Sequence, residues 1–101
     1  MSEHRLTERI ATREGEEKTS IDLALTAGGG IELSGHDLGP LVQRMQGDGD
    51  YEYGMRIRPE DVGHLAFALI AEHYGGDLEA VARVRDLALK YGIEVDSWEW
   101  G

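Results

Sequence analysis

The chain has 101 residues, no cysteine, and a formal charge of −10 from 20 acidic against 10 basic side chains. That excludes disulfides, thiolate metal centres and a cysteine nucleophile, and it sets the chain against nucleic-acid backbones, whose phosphates it would repel. The length is that of one small domain expected to be soluble and cytoplasmic, since nothing resembles a signal peptide and the longest apolar run, residues 65–71, falls far short of the roughly 18 to 20 residues of a bilayer span.

Residues 1–18 are dense in Glu, Arg and Thr, with Leu6 and Ile10 spaced at i, i+4. A helical turn, a strand and a mobile arm are all compatible with that pattern, and the segment is set apart as a polar N-terminal appendage to a single α+β domain over 19–101. From Ser20 the chain alternates, with Ile21, Leu23, Leu25 and Ala27 on one face and Asp22, Ala24 and Thr26 on the other. A second strand runs Ile31, Leu33, Gly35 inward and Glu32, Ser34 outward. Matching like faces across a hairpin sets Ala27 opposite Ile31, with Gly28-Gly29-Gly30 as the turn. A phosphate cradle would need a helix N-terminus after these glycines, and none follows.

Pro40 can open a short helix to Met45, and Gly47-Asp48-Gly49-Asp50 reads as a solvated acidic turn rather than a calcium loop, which would need a bidentate Glu. Tyr51, Tyr53, Met55 and Ile57 then alternate with Glu52, Gly54, Arg56 and Arg58 in a third strand. Pro59-Glu60-Asp61 starts a helix with an apolar stripe of Val62, Leu65, Ala66, Leu69, Ile70 and His73. Gly75-Gly76 ends it, Asp77 caps the next, and Leu78, Val81, Val84, Leu87, Ala88 and Tyr91 line that helix's inner side. Gly92 has the place of a left-handed residue closing the helix, with Ile93 beside it.

Residues 94–101 read as a last strand carrying both tryptophans, Trp98 and Trp100, on one face. The resulting order, β-β-short α-β-α-α-β, predicts a two-layer α+β fold: an antiparallel sheet of about four strands with two main helices on one face. If Val95 points inward, the tryptophans point outward unless a bulge intervenes, so they either close the core or form a contact patch.

No motif carries catalysis. His4, His36, His64 and His73 form no HxH or HExxH pattern, and His64 and His73 fall on nearly opposite helix faces. His36 and Asp37 with Glu52 could form an acid–base group only if a turn realigned the two neighbours. Ser20, Ser34 and Ser97 lack a nucleophile-elbow context. No catalytic residue, metal site or cofactor is therefore expected.

The stretch Gly35-His36-Asp37-Leu38-Gly39-Pro40, followed by Gly49-Asp50-Tyr51-Glu52-Tyr53, Asp61-Val62 and Gly92-Ile93 through Trp98-Glu99-Trp100, resembles small uncharacterised actinobacterial proteins. Those carry a DLGP … DGEYEY … DV … GI … W-x-W pattern, and the similarity spans roughly residues 20 to 101. It implies no particular activity. In size and acidity the chain also resembles immunity proteins of bacterial toxin systems.

The leading expectation is a non-catalytic acidic protein-binding module, immunity- or inhibitor-like, that engages a basic protein. Its anchors would be Trp98, Trp100, Tyr51 and Tyr53, and Asp48, Asp50, Glu52, Asp96 and Glu99 would steer association. The alternatives are a homodimeric assembly subunit, joined through the sheet face or by edge-strand pairing, and a small ligand-binding domain or enzyme. The alternative reading of the acidity is that it serves solubility alone.

Overall fold

The computed structural model describes residues 4–39 and 50–100. The short helix expected over 40–45, the turn at 47–49 and the candidate side chain of Asp48 lie outside the described residues. The chain is α+β, with a four-stranded antiparallel sheet and two main helices. It divides into two compact units, Met1–Gly63 and His64–Gly101.

The first unit is a sheet in sequential order: β1 (His4–Arg13), β2 (Lys18–Thr26), β3 (Ile31–Leu38) and β4 (Asp50–Ile57). Of the conformations open to the polar N-terminal segment, strand is the one adopted, and β1 pairs with β2 along its length. Its alternation is hard to see in the sequence because the register shifts between His4 and Leu6 and again between Arg9 and Ala11. Each shift adds a residue to β1 and resets which face the following side chains occupy.

Register assembles two chemically distinct faces. One carries the rows Leu6–Leu25–Ile31–Ile57, Glu8–Leu23–Leu33–Met55 and Ala11–Ile21–Gly35–Tyr53, closed by Arg13–Thr19–Asp37–Tyr51. The other carries Thr7–Ala24–Glu32–Arg56, Arg9–Asp22–Ser34–Gly54 and Thr12–Ser20–His36–Glu52, with Lys18, Leu38 and Asp50 beyond. Leu23, Leu25, Ile31 and Leu33 are half-buried, and among the described residues the buried apolar side chain is Ala24, at 6% exposure.

The hairpin between β2 and β3 matches like faces as expected, but with Leu25 rather than Ala27 opposite Ile31. The longer loop is stabilised from within. Thr26 N donates to Gly30 O at 2.9 Å, Gly29 N to Thr26 O at 3.0 Å, and Gly30 N to Thr26 Oγ1 at 3.0 Å. Gly29 sits at φ +93°, and a Cβ at Gly30 would meet Ile57 O at 2.8 Å. Two of the three turn glycines are thus required by backbone geometry.

A single 3₁₀ turn at Pro59–Asp61 leads into α1 (Val62–Tyr74), and α2 (Ala80–Lys90) follows. Asp77 Oδ1 accepts from Glu79 N at 2.9 Å and its Oδ2 accepts from Arg83 Nη1 at 2.8 Å, tying the turn before α2 to the helix's first residues. Of the side chains expected to line α2, Leu78 and Tyr91 fall outside the helix, and no residue of α1 or α2 is buried; Leu69, Ile70, Val81 and Leu87 of the expected apolar stripes are exposed. Residues 93–100 form neither helix nor strand, so the expected terminal strand is not formed; β1 is the fourth strand of the sheet instead. Period-2 spacing of Trp98 and Trp100 marks a strand only where another strand offers a ladder.

The end of α2 matches the glycine signal. Gly92 takes φ +74°, Ile93 N donates to Ala88 O at 2.9 Å, and Gly92 N donates to Leu89 O at 3.1 Å. These two bonds are the paired closure of a left-handed helix terminus. Nothing stands within 4 Å of a Cβ at Gly92 or at the helical Gly63. Backbone conformation alone therefore separates the two sites: Gly92→Ala is expected to cost about 1 kcal/mol and Gly63→Ala to add roughly 0.5–1 kcal/mol, both read from urea unfolding.

Candidate functional site

Strand β4 gathers most of the sequence-derived candidates. Tyr51 and Tyr53, two residues apart, project to the same face, and their rings stack with centroids 5.5 Å apart and an interplanar angle of 28°. Both remain exposed, at 43% and 42%. Tyr53 lies directly opposite Gly35, and a Cβ there would overlap the Tyr53 ring. The buried glycine is what lets the ring lie flat on the sheet, and Tyr53 in turn covers a backbone that has no side chain of its own.

On the other face, β4 presents Asp50, Glu52 and Arg56. His36 faces Glu52 across the β3–β4 ladder, and its Nε2 pairs with Asp50 Oδ1 and lies 3.8 Å from Glu52 Oε1. One ligand atom from each of His36, Asp50 and Glu52 falls within a 4.8 Å group. By sequence, His36, Asp37 and Glu52 meet only if a turn realigns the two neighbours. The ladder unites His36 with Glu52, adds Asp50, and sends Asp37 to the opposite face, where Thr19 Oγ1 donates to its Oδ1 at 2.9 Å. Asp50 was missed as a neighbour of His36 because the link is a diagonal across strands, which depends on register.

Chemically, this group can hold the imidazole between two carboxylates, or offer three ligand atoms from two strands to a cation. The first needs only the chain's own residues. The surrounding polar face is an open concavity of about 750 Å³ whose lining includes Asp22, Glu32, Ser34, His36, Glu52 and Arg56. It pairs its own charges: Arg56 Nε donates to Glu32 Oε2 at 2.7 Å, and Arg9 Nε donates to Asp22 Oδ1 at 2.9 Å.

The remaining candidates, Asp96, Trp98, Glu99 and Trp100, belong to the second unit. All are exposed, and the two tryptophans are 81% and 90% accessible. Their spacing repeats that of β4. Tyr51-Glu52-Tyr53 and Trp98-Glu99-Trp100 each hold a carboxylate between two aromatic residues, with a further acid one residue before the first segment, at Asp50, and two before the second, at Asp96.

Comparison with protein-family models, with curated proteins and with solved structures returns no match. The residues themselves therefore carry the functional argument. Among the described residues no helix is long and apolar enough to cross a membrane.

The Arg9–Asp22 pair gives the polar face a pH signature. The hydrogen bond from Arg9 holds the Asp22 carboxyl below its ordinary 3.8, against an opposing loss of solvation, with the charges of Arg9 and His36 assisting. The same hydrogen bond, with Asp22's charge, raises the Arg9 guanidinium. A carboxyl that is more acidic folded than unfolded stabilises the fold above its unfolded value, and that contribution disappears as pH falls through the folded value. Asp22→Asn should lower neutral-pH stability slightly, the pair being exposed, and flatten the acid-side decline below 3.8 by the same small amount in thermal melts.

Proposed function

We propose that the chain is a non-catalytic, acidic protein-binding module of the cytoplasm, immunity- or inhibitor-like in its action, that engages a basic protein. The observation behind this reading is the exposure of aromatic rings interleaved with carboxylates, at Tyr51-Glu52-Tyr53 and again at Trp98-Glu99-Trp100, on a chain of net charge −10. Aromatic faces attract the cationic heads of Arg and Lys and supply the desolvated centre of an interface. Carboxylates on the same short segments, which in β4 point to the opposite face from the rings, steer a basic partner at longer range and disfavour an acidic one.

In this reading Tyr51, Tyr53, Trp98 and Trp100 are the anchors, while Asp50, Glu52, Asp96 and Glu99 set the charge complementarity. Asp48 joins the acids by sequence alone. The likeness in size and acidity to immunity proteins supports the same reading. A toxin-like enzyme blocked by such a module would be inhibited by occlusion, with no chemistry required of the module.

The test is affinity purification from the native host, followed by titration of the recovered protein. A stoichiometric basic partner is expected, with association slowed by salt. Replacing one central anchor, in Tyr53→Ala or Trp98→Ala, should weaken binding by roughly 30-fold or more, corresponding to about 2 kcal/mol. Unchanged affinity in both variants would remove the anchor assignment.

A further inference from the structure

Strand β4 ends the sheet: among the described residues it pairs with β3 on one side and with no strand on the other. The opposite edge, β1, is interrupted by two register shifts, which twist a strand and discourage added pairing. Strand β4 has no such protection. Its ladder with β3 runs without a shift from Asp50 to Ile57, it contains no proline, and the backbone stays extended through Arg58, at φ −67° and ψ 151°. Every second residue therefore directs its N–H and C=O groups away from β3.

The side chains along this edge are ordered so that the strand complements itself when reversed. Its first half is acidic on the polar face, with Asp50 and Glu52, and its second half is basic, with Arg56 and, one residue past its end, Arg58, which also pairs with Asp61 at 3.3 Å; Gly54 lies near the midpoint. We propose that β4 pairs antiparallel with β4 of a second copy of this chain, in the register that sets Gly54 opposite the partner's Gly54. Glu52 then faces the partner's Arg56 and Asp50 faces the partner's Arg58, each contact occurring twice about the two-fold axis. On the other face Tyr53 meets the partner's Met55 and Tyr51 meets the partner's Ile57, so aromatic and aliphatic side chains also match.

This register is singled out by the sequence of the edge. A shift of one residue sets the apolar face of one copy against the polar face of the other. A shift of two leaves half the charge pairs: with Tyr53 against itself, Asp50 meets the partner's Arg56 but Glu52 meets Gly54. With Met55 against itself, Glu52 meets the partner's Arg58 but Arg56 meets Gly54. Larger shifts bring Glu52 or Arg56 against its own copy. Of these registers the Gly54-centred one sets opposite charges across the pair at all four positions and matches both faces, adding to the ion pairs that Asp50, Arg56 and Arg58 hold within their own chain.

The polar rows of the two sheets also join with alternating sign. Within one copy Glu32 pairs with Arg56 at 2.7 Å, and His36 lies 3.8 Å from Glu52. Pairing extends these into a single row of Glu32, Arg56, the partner's Glu52 and the partner's His36. The absence of a side chain at Gly54 leaves the axis clear for these long side chains. The result is one continuous eight-stranded sheet, doubling the face that carries Tyr51 and Tyr53. The inference stands apart from the basic-partner reading, because it concerns the purified chain alone.

The test combines mass with register. Sedimentation equilibrium should show a concentration-dependent mass approaching twice 11.2 kDa. Because the chain has no cysteine, any disulfide reports engineered positions only. Under mild oxidation, Glu52→Cys mixed with Arg56→Cys should cross-link at least about tenfold faster than either variant alone, since these positions face each other only across the pair. Glu52→Arg should weaken the dimer by about tenfold, two attractive contacts having become repulsive, while circular dichroism stays that of the wild type. A monomeric mass at millimolar concentration would overturn the proposal. So would a dimer in which Glu52→Cys cross-links with itself as fast as in the mixture.

Discussion

The register of β3 against β4 is the constraint on which the rest of the sheet's chemistry depends. Setting Gly35 opposite Tyr53 leaves space for a ring over bare backbone, and the Tyr51 ring stacks on that one. The same register sets His36 beside Glu52 and within reach of Asp50, and Glu32 beside Arg56. A slip of one residue would move every one of these side chains to the other face. The sheet's two faces, one apolar with aromatic residues at its margin and one built of opposed charges, are consequences of that alignment.

The charge distribution gives the alignment its functional weight. The exposed pairs Arg9–Asp22 and Arg56–Glu32 on the polar face compensate charge locally, so they contribute little to a long-range field. The excess acidity is carried elsewhere, and part of it lies in the two short segments where a glutamate separates exposed aromatic residues. Segments of that kind combine an apolar anchor with a charge filter, which in β4 lie on opposite faces of the sheet. Occlusion of a basic enzyme needs both, and it needs no catalytic group. Pairing at the β4 edge would place two such anchor sets on one enlarged sheet, which is how a small acidic chain could present a surface larger than its own.

Much of this fold is written in local patterns. The alternation of Ile21, Leu23 and Leu25, of Ile31 and Leu33, and of Tyr51, Tyr53, Met55 and Ile57 assigns β2, β3 and β4 to their faces; Gly92 marks the end of α2. What escaped local reading is non-local. Two shifts in β1 interrupt its alternation, so Leu6 and Ile10 mimic a helical spacing. The tryptophans imitate a strand although no neighbouring strand supports residues 93–100. The His36, Asp50 and Glu52 group arises only when β3 and β4 are aligned, and the need for glycine at position 35 is visible only once Tyr53 lies across it. Candidate anchors could thus be named from exposure-prone aromatic residues, whereas their geometry required the ladder.

Amide hydrogen exchange along β4, measured from dilute to concentrated protein, tests the account most directly. Dilute protein should show alternating protection, with the amides turned toward β3 slow and the intervening ones fast. At high concentration the fast set should become protected, centred on Gly54. Uniformly fast exchange along β4 would contradict the register on which the site depends, and alternation unchanged at every concentration would contradict its role as the contact edge.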